Sequence, residues 1–491
     1  MIAEHLLVLL VVLPLMAAPI AFLLPGGRWS WLVATLTSWA ALGLAIAILL
    51  RVMAAGELSY ALGGWAPPWG IEYRVDVFNA LVALIVAAMA AAILPYALAS
   101  VERDVAAHNH NSFYAAFLLA LCGLLGITLT ADVFNLFVFL EISSLSSYLL
   151  VSQGRDRAAL LAAFRYLVMG TIGATFLLVG IGLLYAMTGT LNMPDLAQRI
   201  PEVQNSRAVH TAFAFIVVGL GIKLAVFPLH QWLPDAYAQA PAAVSAFLAA
   251  TATKVALYVL ARFLFTVFGA EFSFGVLPLK QILLPLAVAG VLVGSVLAIL
   301  QTDIKRMLAY SSVAQVGYMV LGLGLASAAG ISAATLHLFN HALMKAALFM
   351  AVGCVVWQCG ATRIEQYAGL GRRMPWTMAG FVLAGLSLVG VPLTVGFISK
   401  WYLFVAAIAQ QAWLLVAVLV AGSLLALVYI GRVVEVAYFR AGADDRVQEA
   451  PWTMLLPLWL MVLANIYFGI HARFTVGLAE RAGALLWGTG L

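Results

Sequence analysis

Residues 221–241 read GIKLAVFPLHQWLPDAYAQAP, an apolar stretch with a lysine, Lys223, shortly ahead of a proline, Pro228. Proline removes a backbone donor and clashes with the turn before it, so a helix through this stretch opens near Pro228. Inside lipid such an opening survives only against protein or enclosed water. Residues 388–401, LVGVPLTVGFISKW, repeat the style with Pro392 and then Lys400. Prolines also occur as plain kinks in membrane helices. A charge beside each break favours a functional reading, since interrupted helices in two halves of a chain mark repeat-built transporters that handle ions at the breaks. Lys223 and Lys400 stand 177 residues apart, and the same step from Glu141 lands on Tyr318. Halves related by that step share architecture more than titratable residues.

The rest of the chain requires a bilayer as solvent. Of 491 residues, 65% are hydrophobic and only 9% charged, with a mean hydropathy of +1.06, more apolar surface than a soluble core can hide. A membrane helix needs roughly 20 apolar residues. Fourteen segments qualify: 5–24, 30–53, 76–100, 112–130, 132–152, 161–188, 210–230, 242–266, 280–300, 305–326, 331–357, 376–403, 411–439 and 451–471. The longest loops, 54–75 and 189–209, are too short for a soluble domain, so residues 1–491 form a single all-α, polytopic membrane domain. The first segment is preceded by Glu4 and His5 rather than by basic residues, which reads as a retained helix and not a cleaved signal peptide. With the N-terminus outside, the inner loops hold Arg28, Arg103, Arg155, Arg157, Lys305, Arg306, Arg363, Arg372, Arg373, Arg440 and Arg446. The outer loops then hold Arg51, Arg74, Arg199, Arg207, Lys280, Arg473 and Arg481, a modest bias that places both termini outside.

The formal charge of +5 is scattered among acids and forms no basic stripe, which argues against a nucleic-acid partner. Cys122, Cys354 and Cys359 lie in apolar segments without a CxxC pair and read as small core thiols, with no disulfide or metal site.

The chain has only six lysines, Lys223, Lys254, Lys280, Lys305, Lys345 and Lys400, and four of them (Lys223, Lys254, Lys345 and Lys400) fall inside apolar segments. A charge at a helix centre costs roughly 2.5–3.5 kcal/mol even on the permissive insertion scale. Lysine also exchanges its proton when buried, which arginine effectively cannot. One acid, Glu141 in LFVFLEISSLSSYLL, is placed to answer them; a carboxylate whose cationic partner approaches and withdraws is a proton switch. Ser143, Ser144, Ser146 and Ser147 beside it serve either hydrogen-bonded water or close helix packing. TLHLFNHALMKAALFMAVG places His337, His341 and Lys345 at i, i+4 and i+8, one face of a helix, where a proton relay fits better than a metal or haem. By composition Lys305 is a solvated helix end, Lys280 is interfacial, His230 and Asp235 are capping or structural, and Asp132 is ambiguous at a helix entry.

Together FLEISSLSSY, GIKLAVFPLHQWLPDAYAQAP, TKVALYVLAR, QTDIKRMLAYSSVAQVGYM, HLFNHALMKAALF and the Pro392–Lys400 segment, spread over roughly residues 70–430, resemble the antiporter-like membrane subunits shared by respiratory complex I, membrane-bound hydrogenases and Mrp sodium/proton antiporters. The resemblance implies about fourteen helices, two inverted five-helix repeats (112–266 and 280–439, flanked by helices within 5–100 and 451–471), and discontinuous seventh and twelfth helices. It also implies a relay in which Glu141 pairs with Lys223, Lys254 links the half-channels, and Lys305, His337, His341 and Lys345 lead toward Lys400. Tyr237 stands where relatives often have histidine, and Ala242 and Ala243 replace a Thr-Pro pair. The likeness leans toward the D-type component of Mrp antiporters or its hydrogenase counterpart. It implies a proton-translocating subunit of a multisubunit Na+/proton antiporter in the bacterial inner membrane, with other membrane subunits as partners, no cofactor and no covalent chemistry of its own. The alternative is a proton-pumping subunit of a redox complex.

Overall fold

The structure, a computed structural model, describes residues 5–442 and 447–488; Glu4 and Arg446 lie outside them. In chain order the elements are α1 (Leu6–Leu23), α2 (Gly27–Ala55), β1 (Leu58–Ala61), β2 (Glu72–Val75), α3 (Val77–Asp104), α4 (His110–Leu129), α5 (Val133–Ser152), α6 (Arg157–Thr188), α7 (Met193–Val203), α8 (Arg207–Leu224), α9 (Trp232–Gln239) and α10 (Ala242–Ala261). They continue as α11 (Leu279–Leu300), α12 (Ile304–Gly324), α13 (Ala328–Cys359), α14 (Leu370–Arg373), α15 (Pro375–Val389), α16 (Val395–Ala409), α17 (Trp413–Phe439), α18 (Trp452–Ile470) and α19 (Arg473–Trp487). Thirteen helices among the described residues are long and apolar enough to cross a membrane. The shorter apolar pair α15 and α16 forms the fourteenth crossing expected at 376–403. The apolar middles of α3, α4, α10, α12 and α13 are largely buried, so most side chains there face other helices.

Both expected breaks are present and are built alike. α8 stops at Leu224 because Ala225 turns left-handed (φ 60°), with Ala225 N–H donating to the Ile222 carbonyl and Val226 N–H to the Gly221 carbonyl. α15 stops at Val389 with Gly390 at φ 96°, its N–H donating to Ser387 and that of Val391 to Leu386. Each is a Schellman turn followed by a proline that cannot continue the helix. The freed backbone finds partners, as an apolar interior demands. Trp232 Nε1 donates to the Ile222 carbonyl at 2.8 Å, and Asn340 Nδ2 to the Val395 carbonyl at 2.6 Å. The left-handed conformation suits glycine better than alanine, so Ala225→Gly is expected to stabilise the protein by about 1 kcal/mol. At Gly390 an added Cβ would stand 2.9 Å from Lys400 Cδ, so Gly390→Ala is expected to destabilise. Thermal unfolding of the two variants checks both signs.

An internal correspondence runs through the chain with a step of 171 residues rather than the 177 that separates the two lysines. α6 and α13 are both 32 residues long and end on left-handed glycines, Gly189 and Gly360. Asp132 and Asp303 cap α5 and α12, accepting from Asn135 N at 2.6 Å and Arg306 N at 2.8 Å. Each also bridges to the loop after the next helix, Asp132 to Asn192 and Asp303 to Arg363. The equivalent of Glu141 by this step is Ser312, not Tyr318.

Other features depart from the sequence reading. The 54–75 loop holds an antiparallel hairpin, Leu58 opposite Val75 and Ala61 opposite Glu72. The 189–209 loop holds α7, and beyond the last crossing α19 packs on α13. Cys359 is exposed at the end of α13 rather than a core thiol, whereas Cys122 and Cys354 are buried.

Candidate functional site

Polar residues of the interior are carried by α5, α8, α10, α12, α13 and α16. Lys223, in the last turn of α8, lies 3.7 Å from Glu141 of α5 and donates to Ser144 Oγ at 2.8 Å and to Tyr148 OH at 3.4 Å. Glu141 sits at the edge of the bundle, its side chain 27% exposed, and its Oε1 accepts no hydrogen bond. The serine face packs closely and borders a small cavity. Ser143 and Ser147 bond to carbonyls of their own helix, and Gly123 of α4 packs so closely on Ser143 that it has no room for a Cβ. Ser143, Ser144, Ser147 and Lys223 also border a cavity of about 40 Å³ that reaches α10, enough for water.

Lys254 of α10 is fully buried; its ammonium donates to the Ala249 carbonyl and lies 3.4 Å from Thr253 Oγ1. Across from it α13 presents the expected face. Lys345 donates to the Leu308 carbonyl at 2.7 Å and to Ser311 Oγ at 2.5 Å. His337 and His341 are stacked, their ring centres 6.0 Å apart and their planes 8° from parallel. Both ring nitrogens of His341 are buried without a protein partner. His337 Nε2 lies 2.9 Å from Gln315 Oε1 and its Nδ1 2.9 Å from Ser399 Oγ. Both ring nitrogens of His337 thus have a polar partner, whereas those of His341 have none among the described residues.

Lys400 follows its break, whereas Lys223 precedes its own. Lys400 donates to the Leu388 and Val389 carbonyls at 3.0 and 2.8 Å and to Ser423 Oγ at 3.0 Å, and lies 5.0 Å from the Tyr318 ring centre. The two carbonyls are the exposed end of α15, where the half-helix dipole is negative. Among the described residues no carboxylate stands within ion-pair distance of Lys254, Lys345 or Lys400.

Lys305 corrects the composition-based reading. It is 6% exposed and donates to the Ala240 carbonyl at the end of α9 at 2.7 Å, so it belongs to the interior near the first break and is not a solvated helix end. Asp235 of α9 ties α6 to α12 through Arg165 at 2.7 Å and Arg306 at 2.9 Å, a structural part as expected. His230 is buried and stacked on Phe227. Lys280 donates to Gln410 Oε1 at 3.1 Å. Burial pushes the carboxyl groups of Asp132 and Asp303 up, opposed in both by backbone N–H donors. Gln315, Ser399, Ser423 and Tyr318 are the members that sequence reasoning missed. Their only signal is neutral polarity in an apolar helix. Among the described residues, no three His, Cys, Asp or Glu side chains converge to hold a metal ion.

Comparison with known proteins places the chain among relatives. Residues 130–426 match the family model described as NADH:quinone oxidoreductase/Mrp antiporter, TM. The chain is 45% identical over 486 residues to the N-type component of NADH-quinone oxidoreductase from Desulforudis audaxviator, covering 95% of this chain and 96% of that one. It is 30% identical to the D-type component of the Na(+)/H(+) antiporter from Alkalihalophilus pseudofirmus, covering 94% of each. Its fold superposes with a TM-score of 0.91 on a chain of the archaeal membrane-bound sulfane sulfur reductase, at 32% identity and 98% coverage of both. The TM-score is 0.89 on a chain of the Mrp complex from Dietzia sp. DQ12-45-1b, at 25% identity with 99% of this chain and 98% of that one covered. With two helix breaks, an acid–lysine pair beside the first and buried lysines and histidines between them, the chain is a multi-span membrane protein that belongs to the NADH:quinone oxidoreductase/Mrp antiporter family.

Proposed function

We propose that this chain is the proton-translocating subunit of a multisubunit monovalent cation (Na+)/proton antiporter. A proton passes from the Glu141–Lys223 pair through Lys254 and the Lys345–His341–His337 face to Lys400, with Lys305 serving the first break. The observation that carries the reading is the 3.7 Å pair, set against buried lysines that meet only neutral acceptors. When the pair closes, the carboxylate stabilises the ammonium; when it opens, Lys223 is left charged in an apolar setting and its proton moves on. Half-buried Glu141 at the bundle edge is where a neighbouring membrane subunit opens or closes the pair. The helices within 112–266 and 280–439 are the two inverted repeats, with both termini outside, and the chain does no covalent chemistry itself.

A second reading, a proton-pumping subunit of a redox complex, is favoured by the 45% identity to a chain named as part of NADH-quinone oxidoreductase. Fold similarity divides between the two readings, with TM-scores of 0.91 on a chain of the sulfane sulfur reductase, a respiratory complex, 0.89 on a chain of the Mrp complex and 0.77 on a chain of Thermus thermophilus complex I. Purification of the native complex separates them. Small antiporter subunits and Na+-dependent proton movement in vesicles are expected; co-purifying iron–sulfur or quinone-reacting subunits would transfer the chain to the second reading.

A further inference from the structure

We infer that a second aqueous route joins the centre of the relay to the membrane face carrying the β-hairpin, through Tyr258 and an ion pair between Arg262 and Asp76. The inference rests on the relay proposed above. Lys254, Tyr258 and Arg262 fall at i, i+4 and i+8 of one helical run, so one face leads from the buried lysine to the end of α10. Tyr258 OH donates to the Thr128 carbonyl at 3.3 Å and lies 3.4 Å from Arg262 Nε. The guanidinium lies against the rings of both Phe78 and Tyr258, 5.4 Å from each centre, and donates to Asp76 Oδ2 at 2.5 Å. Asp76 uses its other oxygen to cap α3, accepting from Phe78 N at 2.8 Å.

Three further observations bear on this pair. It opens onto a cavity of about 380 Å³ walled by Glu57, Arg74, Thr130 and Ala270, with Trp487 of α19 as part of its cover. The helix changes to π-type turns at Arg262–Val267, a rare geometry that recurs at functional sites. A buried ion pair contributes little net stability relative to packed apolar residues, so stability alone does not account for it.

In the proposed step a proton leaves the Lys254 ammonium, passes through enclosed water and the Tyr258 hydroxyl, and forms an O–H bond on the Asp76 carboxylate. Neutral Asp76 loosens its hold on Arg262 and releases the proton to cavity water, restoring the pair. Arg262 keeps its charge throughout and is a positioning residue.

The test uses the whole complex in vesicles. The parent is Cys359→Ala, and Ala270→Cys is added on the cavity wall. A membrane-impermeant, positively charged methanethiosulfonate applied from the hairpin side is expected to label Ala270→Cys and to slow proton movement about tenfold relative to the same complex unlabelled. Tyr258→Phe, which keeps the ring and removes the hydroxyl, is expected to slow it about tenfold with assembly intact. Failure to label, or transport within about twofold of the parent in both cases while Lys223→Ala abolishes it, overturns the route alone. Transport that also survives Lys223→Ala overturns the relay and the route together.

Discussion

Lys223→Ala is expected to abolish cation-dependent proton movement in vesicles while the complex still assembles. The substitution removes the one ammonium that, among the described residues, lies within ion-pair reach of Glu141, and leaves that carboxylate at the bundle edge without its counter-charge. With no ammonium beside it, opening and closing of the pair can no longer pass a proton onward. The hydrogen bonds to Ser144 and Tyr148 also vanish, but both hydroxyls have neighbours to turn to, Tyr148 resting edge-on against Tyr166. The fold is therefore expected to survive. Glu141→Ala should give the same loss from the other side. Were the lysines only glue between helices, the reverse pattern would follow, with assembly impaired and exchange intact. Co-purification of the partner subunits and a proton flux measurement on the same vesicles separate the two, and normal exchange by Lys223→Ala would remove the basis of the proposed relay.

Lys254→Arg is the second large effect expected, and it isolates proton transfer from charge. Lys254 is enclosed completely, and its acceptors are a backbone carbonyl and a threonine hydroxyl. Arginine keeps the positive charge and the donors but does not release its proton in the working range. A relay that runs through position 254 should therefore stop, with flux falling to the level of Lys254→Ala. Full activity with arginine would make the position an electrostatic support only. Because a guanidinium is bulkier than an ammonium in a packed interior, the comparison is made on complex recovered intact.

The residues legible in the sequence were those that are costly where they stand. A lysine in an apolar run, a proline near it and a histidine pair at helical spacing each violate the composition of a membrane helix; the prolines stand at helix breaks, and the lysines and histidines are buried. Gln315, Ser399, Ser423 and Tyr318 carry no such cost, because small neutral polar groups are ordinary in membrane helices. Their part emerges only from distances such as the 2.9 Å between His337 and Gln315. Asp76 and Arg262, 186 residues apart, escape notice because each reads as a boundary residue of its own helix. The hairpin strands LSYA and EYRV are too short for alternation to register. α19 was missed for the opposite reason: with Arg473, Glu480 and Arg481 it falls below the apolarity of a span, and a one-sided helix needs the bundle beneath it to be seen. Lys305 was misjudged because its neighbours Asp303 and Arg306 mark a helix start, one as its cap and the other paired with Asp235, while its own side chain turns into the interior.

The two breaks differ in what answers their lysine. Lys223 faces a carboxylate on another helix, whereas Lys400 faces carbonyls belonging to the backbone of its own crossing, at 3.0 and 2.8 Å. A side chain can swing away; a peptide carbonyl at a helix end cannot. In the proposed relay the Glu141 end is thus adjustable and the Lys400 end is fixed, which gives the line a control end and a receiving end. Resetting after each cycle then falls on Glu141 alone, and a neighbouring subunit needs to touch only that residue to govern the whole row.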